Sequence, residues 1–487
     1  EYKKHYEDII EFITGKRMVK VANKWEAQIT GQPCREIMQE FAQFPDTEKA
    51  VRDYVKKLMG RLVFIQFLQK KGWMGCSAGE SWSDGDKEFV QNLFASTPHK
   101  NTFVDDVLEP LFNDINTKRI GDIAGSPNVG VGIKIPYLNG GLFEKDDYDK
   151  TKFPLPAEFM KKLLDFFASY NFTIDENDPD DAEIGVDPEM LGRIFENLLE
   201  DNKDKGAFYT PKEIVQYMCR ESLIAYLQTD VKDDTIKQSI RQFVSTYDAT
   251  VLPENLKETV DQKLKDVKIC DPAIGSGAFP MGLLKELYAC RKAIEDIDDD
   301  TAVSIKTHII QNNIYGVDIE KGAVDIARLR FWLALIVDEK DPHALPNMDF
   351  KIMQGNSLLE QYEGVELSGM SIDEQNKRKT KKGQLWQATF AFDEKYALDN
   401  IQRAIKEYYL TDNYNEKLSL RSIINENVRN YIINLKGCTP DVQRKIEQLP
   451  IPNDKFFLWH IYFKEVFDKG GFDIVIGNPP YLRIQGI

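Results

Sequence analysis

Paired cysteines, clustered histidines and long apolar runs are all missing from this chain of 487 residues. Its six cysteines (Cys34, Cys76, Cys219, Cys270, Cys290, Cys438) include no Cys-x-x-Cys. The five histidines (His5, His99, His308, His343, His460) have no metal-ligand spacing, which argues against zinc catalysis. Scattered cysteines fit a reducing, cytoplasmic setting in which they pack as small apolar groups. No apolar run is long enough to span a bilayer, and the opening EYKKHYEDII carries neither an initiator Met nor a signal-peptide pattern. No repeat at solenoid periods is visible. A basic excess is lacking too. The net charge of −16 excludes a surface that binds nucleic acid everywhere, though not a local basic groove. The dense basic run over Lys377–Lys382 reads as a solvated loop rather than a nucleic-acid contact.

What is present is the composition of a soluble globular protein, 42% hydrophobic and 29% charged, in a chain long enough for two or three domains. Residues 1–180 read as a mostly helical N-terminal domain. Within it, TEKAVRDYVKKLMGRLVFIQFLQKKGW has apolar residues at helical spacing, with Thr47 as the expected N-cap. GDIAGSPNVGVGIKIPYLNGGLFEKDD is rich in Gly and Pro and reads as loop with a short hairpin. DPEMLGRIFENLLED over Asp187–Asp201 predicts a helix, and a second is expected with Thr210 as its N-cap, Pro211 at its first position and Glu213 completing a capping box. From Val267 the pattern changes to apolar strands alternating with helices, the signature of a mostly parallel α/β sheet covered on both faces. Residues 181–487 form this second domain, with a helical insertion over about 357–470 before the chain returns to the sheet at FDIVIGN.

Four strand ends carry the chemistry. In DPAIGSGAF a strand ends in Asp271, passes Ala273, turns through Gly275 and Gly277, and enters a helix whose free amides face the turn. The glycine spacing is not that of a pyrophosphate loop. An acid beside it would repel a diphosphate and suits a cationic or amino-bearing ligand. Asp318 ends the next strand, IYGVDI, where a carboxylate can accept both hydroxyls of a ribose; taken alone, it equally suits a helix N-cap. Asn356 follows a third strand in QGNSLL, where its amide can pair with an adenine edge, although the residue alone reads first as a turn former. Together these groups describe a pocket for S-adenosylmethionine. The fourth end is GNPPY. Two consecutive prolines cannot continue a ladder, so Asn478, Pro479, Pro480 and Tyr481 sit just past the strand. The Asn478 oxygen and the Pro479 carbonyl can accept both hydrogens of one exocyclic amino group, and Tyr481 offers a ring on which a base stacks. A sulfonium is already a good leaving group, so positioning suffices for methyl transfer.

DPAIGSGAF followed by GNPPY resembles the cofactor and catalytic motifs of the gamma-class adenine-N6 DNA methyltransferases. GAFYTPKEIV is similar to the segment that precedes the cofactor motif in that class. IPYLNGGLFE, LGRIFENLL and IYGVDIEKGAVDIARLRFWLAL resemble the fused restriction–modification enzymes of type IIG and related large methylases of phage-defence systems. The likeness covers roughly residues 50–487. It implies a Rossmann-like S-adenosylmethionine-dependent methyltransferase sheet and double-stranded DNA as partner, with the target adenine flipped out of the duplex. It also implies that Thr210 and Pro211 close over the methionine end and that Asp271 and Gly275 flank the cofactor. Asp318 then takes the ribose, Asn356 meets the adenine, and Asn478, Pro479 and Tyr481 hold the target base.

Three departures stand out. Asn356 occupies a position where many relatives carry Asp. The stretch between QGNSLL and GNPPY is far longer than in minimal methylases. The later strands and the target-recognition domain have no counterpart here, and neither does a P-D…E-x-K nuclease core beyond the residue types of EYK at Glu1–Lys3. The expectation is therefore a methyltransferase portion excised from a longer enzyme, truncated before target recognition. A non-catalytic S-adenosylmethionine-binding scaffold in a defence complex is the alternative, and the complete Asn-Pro-Pro-Tyr string argues against it. The glycine spacing argues against a nicotinamide dehydrogenase.

Overall fold

The computed structural model describes residues 1–21, 24–139, 141–170, 172, 210–295, 299–367, 394–411, 413–435 and 437–479. The helix expected over Asp187–Asp201, the basic run at Lys377–Lys382, and Pro480 and Tyr481 lie outside them.

The N-terminal region is helical where apolar residues recur every three or four positions. Helix α1 (Tyr2–Thr14) buries Tyr2, Tyr6, Ile9, Ile10 and Ile13 along one side. Helix α2 (Thr47–Lys70) is buried over most of its length. Its N-cap is Asp46, not Thr47: the Asp46 carboxylate accepts from the Lys49 amide at 2.9 Å, a role in which a charged oxygen beside the helix N-terminus outdoes a hydroxyl. Helix α3 (Ala157–Ala168) completes the packing against α1. An antiparallel hairpin of Lys16–Val21 with Lys24–Ile29 interrupts the helices. Its signal is the strict alternation in KWEAQI. In the Gly-rich stretch, Ile133–Lys134 pairs with the distant Cys76–Ser77 and Lys134 also bridges to Ile123, so the local hairpin is reduced to one bridge.

Four parallel strands follow: β1 (Ile269–Asp271), β2 (Ile314–Asp318), β3 (Ile352–Gln354) and β4 (Ile474–Val475). Their spatial order is β4-β1-β2-β3, so the last strand returns to pair with the first. Helices α4 (Lys212–Leu227), α5 (Asp234–Thr246) and α6 (Glu254–Asp266) precede the sheet. Helices α7 (Ala278–Glu295), α8 (Asp299–Asn312) and α9 (Lys321–Ile336) connect its first three strands.

Period-two alternation assigns each face of the sheet a separate core. Ile269, Ile314, Ile352, Ile474 and Ile476 join one apolar cluster that runs through α7 and α9 into the N-terminal helices as far as Tyr2. Tyr315, Val317 and Met353 point the other way, into a second cluster built with the insertion. That insertion comprises α10 (Glu394–Leu410), α11 (Tyr414–Ile433) and α12 (Pro440–Gln448). The segment FFLWHIYFKEVFDKG, within the expected helical insertion, forms two short helices, Trp459–Tyr462 and Lys464–Phe467, broken at Phe463. Phe463 leaves helical geometry to pack edge-on against Tyr315 and Phe472, so ring packing overrides the helical period here. Among the described residues no helix is long and apolar enough to cross a membrane.

Candidate functional site

The site lies at the carboxyl ends of the four strands, where an open parallel sheet leaves its loops. Asp271 ends β1 with 1% of its surface exposed, and its Oδ1 accepts from the Ala273 amide at 3.0 Å. The chain then turns through Gly275 (φ 52°) and Gly277 (φ 85°), both in the left-handed region that glycine adopts without strain. Asp318 ends β2. Its Oδ2 accepts from the Gly275 amide at 2.8 Å and its Oδ1 from the Glu320 amide at 2.9 Å, so the second acid fixes the glycine turn after the first. Asp318 is therefore not the N-cap of α9: that position is Glu320, without a side-chain cap, and the Asp318 carboxylate instead holds the Glu320 amide and the Gly275 turn.

Close approach inside the sheet depends on glycines that motif reading passed over. A side chain at Gly316, inside β2, would fall within Ile274, whose amide bonds the Val317 carbonyl at 3.0 Å. A Cβ at Gly477 would lie 2.5 Å from Asp271 Oδ1, so the end of β4 is pressed against the first acid. A glycine within an apolar strand is the sequence signal for such contact, and IYGVDI carries it.

Asn478 follows immediately. Its Nδ2 donates to Thr210 Oγ1 at 3.1 Å across 268 positions of sequence. Thr210 does not cap α4: the N-cap position is Pro211, no side chain caps the helix, and the expected capping box with Glu213 does not form. The hydroxyl serves Asn478 instead. Helix α4 is held in place against α7, because Gly282 leaves room for Val215 and Cys219. Arg220 clasps the buried Glu286 carboxylate at 3.1 Å, and Tyr247 donates to Glu286 at 2.8 Å.

Asn356, after β3, forms a turn: its Oδ1 accepts from the Leu358 amide at 3.2 Å. Its amide nitrogen has no partner among the described residues. The insertion closes over this loop, with Phe457 seated where a side chain at Gly355 would be and Trp459 Nε1 donating to the Ser357 carbonyl at 3.1 Å. The structure therefore brings Thr210, Asp271, Ala273, Gly275, Asp318, Asn356, Asn478 and Pro479 to the carboxyl end of the sheet. Gly277 turns the chain into α7, with Ala327 of α9 3.3 Å from where its Cβ would stand.

The electrostatics are unbalanced. Burial raises the Asp271 carboxyl to about 7, with the Ala273 amide opposing and neighbouring Asp318 adding to the rise. Burial also raises Asp318, partly offset by the Glu320 and Gly275 amides. Among the described residues neither acid pairs with a Lys or Arg. Two desolvated acids without a counter-charge fit a ligand that brings positive charge. Among the described residues no three His, Cys, Asp or Glu side chains gather as a metal site.

The similarity of this chain to known proteins follows the same segments. Residues 312–487 match the Eco57I restriction-modification methylase family. A Methanocaldococcus jannaschii protein, named as a type II restriction enzyme and methyltransferase, is 29% identical over 500 aligned positions, covering 87% of this chain and 40% of the relative. The adenine-specific methyltransferase BrxX of Escherichia coli is 26% identical over 28% of this chain and 11% of its own length. DNA methyltransferase A of Bacillus subtilis is 23% identical over 41% of this chain and 20% of its own. Among solved structures, the type IIL restriction-modification enzyme MmeI in complex with DNA matches with a TM-score of 0.40 and 19% identity, over 62% of this chain and 37% of that one. The chain thus spans two-fifths or less of the length of each of these relatives.

Proposed function

We propose that the chain is the methyltransferase portion of a restriction–modification enzyme, and that it transfers a methyl group from S-adenosylmethionine to the N6 amino group of an adenine flipped out of double-stranded DNA. The observation that carries this reading is the convergence of Asn478 with the two acids: Gly477 packs on Asp271, Asp318 holds the Gly275 turn, and Asn478 is anchored by Thr210. The family match over 312–487 and the methyltransferase names of the relatives support it.

In this reading the sheet is Rossmann-like, residues 1–180 form a helical connector and 357–470 an insertion. S-adenosylmethionine supplies an electrophilic methyl on a sulfonium. Asp271 and the Ala273–Gly277 turn hold the amino-bearing end, with Pro211 and the Thr210 backbone closing over it. Asp318 accepts from the ribose, and Asn356 offers its free amide nitrogen to the adenine ring. Asn478 Oδ1 and the Pro479 carbonyl accept from the target amino group and keep its lone pair toward the methyl, while Pro480 stiffens the turn and Tyr481 stacks on the base.

Replacing Asn478 by Ala should lower methyl transfer to unmethylated duplex DNA by about a hundredfold or more, as when one positioned partner of the reacting group is lost. Calorimetric affinity for S-adenosylmethionine should stay within a few fold. Folded wild-type chain with no affinity for the cofactor would refute the reading.

A further inference from the structure

Asn478 presents an amide, and an amide has two unlike ends. Only the oxygen can accept from an amino group; the nitrogen would donate and turn that group away. The planar carboxamide fixes these ends on opposite sides of Cγ, so whatever holds one end decides what the other offers. Here the nitrogen is held by Thr210 Oγ1 at 3.1 Å, and Asn478 Oδ1 makes no hydrogen bond among the described residues.

Resting on the proposed methyltransferase reading, we infer that Thr210 is a positioning residue for Asn478: by accepting from Nδ2 its hydroxyl holds the carboxamide in place and leaves the accepting oxygen for the target amino group. Three features of the chain fit this role. First, the Thr210 hydroxyl is not spent on helix capping, because α4 begins with Pro211 at its N-cap and no side-chain cap. Second, α4 does not float. Gly282 of α7 receives Val215 and Cys219 of α4, and the Arg220–Glu286 pair ties the same two helices at 3.1 Å. The glycine turn that α7 follows is therefore rigidly connected to the residue that orients Asn478. Third, the other side of Asn478 is fixed by Gly477, which cannot retreat because it rests on Asp271. Between these two anchors the remaining freedom is rotation of the amide, and the hydroxyl removes it. Threonine also has a β-branch that limits its own rotation. The hydroxyl is thereby committed to Asn478, and a contact between position 210 and the cofactor falls to the backbone.

The test compares Thr210→Val, which keeps shape and branching but deletes the hydroxyl, with Thr210→Ser, which restores it. Single-turnover methyl transfer to unmethylated duplex DNA should fall about tenfold to a hundredfold in the valine variant, the cost of one lost orienting hydrogen bond, and recover in the serine variant. S-adenosylmethionine affinity by calorimetry should change less than threefold in both. In chain labelled with ¹⁵N at asparagine, the Asn478 side-chain amide, assigned by its disappearance in Asn478→Ala, should lose exchange protection in Thr210→Val and regain it in Thr210→Ser. This readout needs no turnover. An unchanged Asn478 amide signal in the valine variant would overturn the inference, as would weakened cofactor affinity with unaltered transfer rate. Absence of S-adenosylmethionine affinity in folded wild type would count against the methyltransferase reading, while the amide signal would still decide the role of Thr210.

Discussion

Asp271 shows how one residue can work against its own fold. Its carboxyl sits at about 7 against 3.8 for an unperturbed aspartate. Between those values the folded chain holds a proton that the unfolded chain has released. The contribution to stability therefore falls as pH rises from about 4 toward 7, and the penalty is complete above that. A bound cation reverses the balance by favouring the carboxylate. S-adenosylmethionine affinity should accordingly strengthen as pH rises through 7, and the thermal shift it produces should be larger at pH 8 than at pH 6. Asp271→Asn should melt higher than wild type at pH 8 without ligand and lose most of the ligand-induced shift; scanning fluorimetry at the two pH values reads both effects.

The two acids and Asn478 were legible in the sequence because each ends an apolar run, and strand ends can be found without coordinates. The partner of Thr210 was not legible. A hydroxyl before Pro211 looks like a helix cap in one dimension, and only the fold brings Asn478 across 268 positions to claim it. Asn356 shows the same limit, since its turn bond to Leu358 engages the oxygen that the motif would assign to a ligand.

At the level of elements, α9 is the best-supported helix of the site. It starts three residues after Asp318. Asp146 meets Lys321 at its N-terminal end at 3.3 Å, and Lys71, just past α2, donates to the carbonyls of Ile336 and Val337 at its C-terminal end. Trp73 Nε1 adds a bond to the Lys340 carbonyl at 3.3 Å. A cation on the last carbonyls of a helix satisfies groups that have no partner within it. Lys71→Met should therefore loosen the last turn of α9 by about 1–2 kcal/mol, read as faster amide hydrogen exchange from Leu333 to Val337. A substitution within β2 tests the opposite end. Gly316→Ala would press on Ile274 and its turn, and overpacking should cost about 1–3 kcal/mol in urea unfolding. Helices and strands of this kind were readable from periodicity. The break at Phe463 was not, because it is driven by rings from elements far apart in sequence.

Across the whole molecule, one acid gathers three regions. Asp349, just before β3, receives Arg328 of α9 at 2.9 Å, Arg421 of α11 at 2.9 Å, and the Tyr408 hydroxyl of α10. Arg421 also meets Glu144 of the N-terminal region at 2.5 Å. Burial works to raise the Asp349 carboxyl, but Arg421 and Arg328 outweigh it and hold it at about 2. Its stabilising charge is thus present above the unfolded value of 3.8 and is lost only as pH falls toward 2. Arg421→Met leaves two buried acids without their shared cation. A loss of about 2–3 kcal/mol is expected in urea unfolding, below the full buried-pair figure because part of the arginine faces solvent. This junction also accounts for IPYLNGGLFE, whose role no motif rule supplies. A Cβ at Gly141 would lie 3.2 Å from Asp349, the Leu142 and Glu144 carbonyls accept from the buried Arg61, and Arg61 in turn grips Asp149 at 2.9 and 3.0 Å.

The apolar cluster that runs without a gap from Tyr2 to Ile476 has a practical outcome. An engineer who lifted residues 210–487 out as a portable cassette would strip Trp332 and its neighbours of their cover and obtain inclusion bodies; grafting would succeed only if the leading helices travelled along.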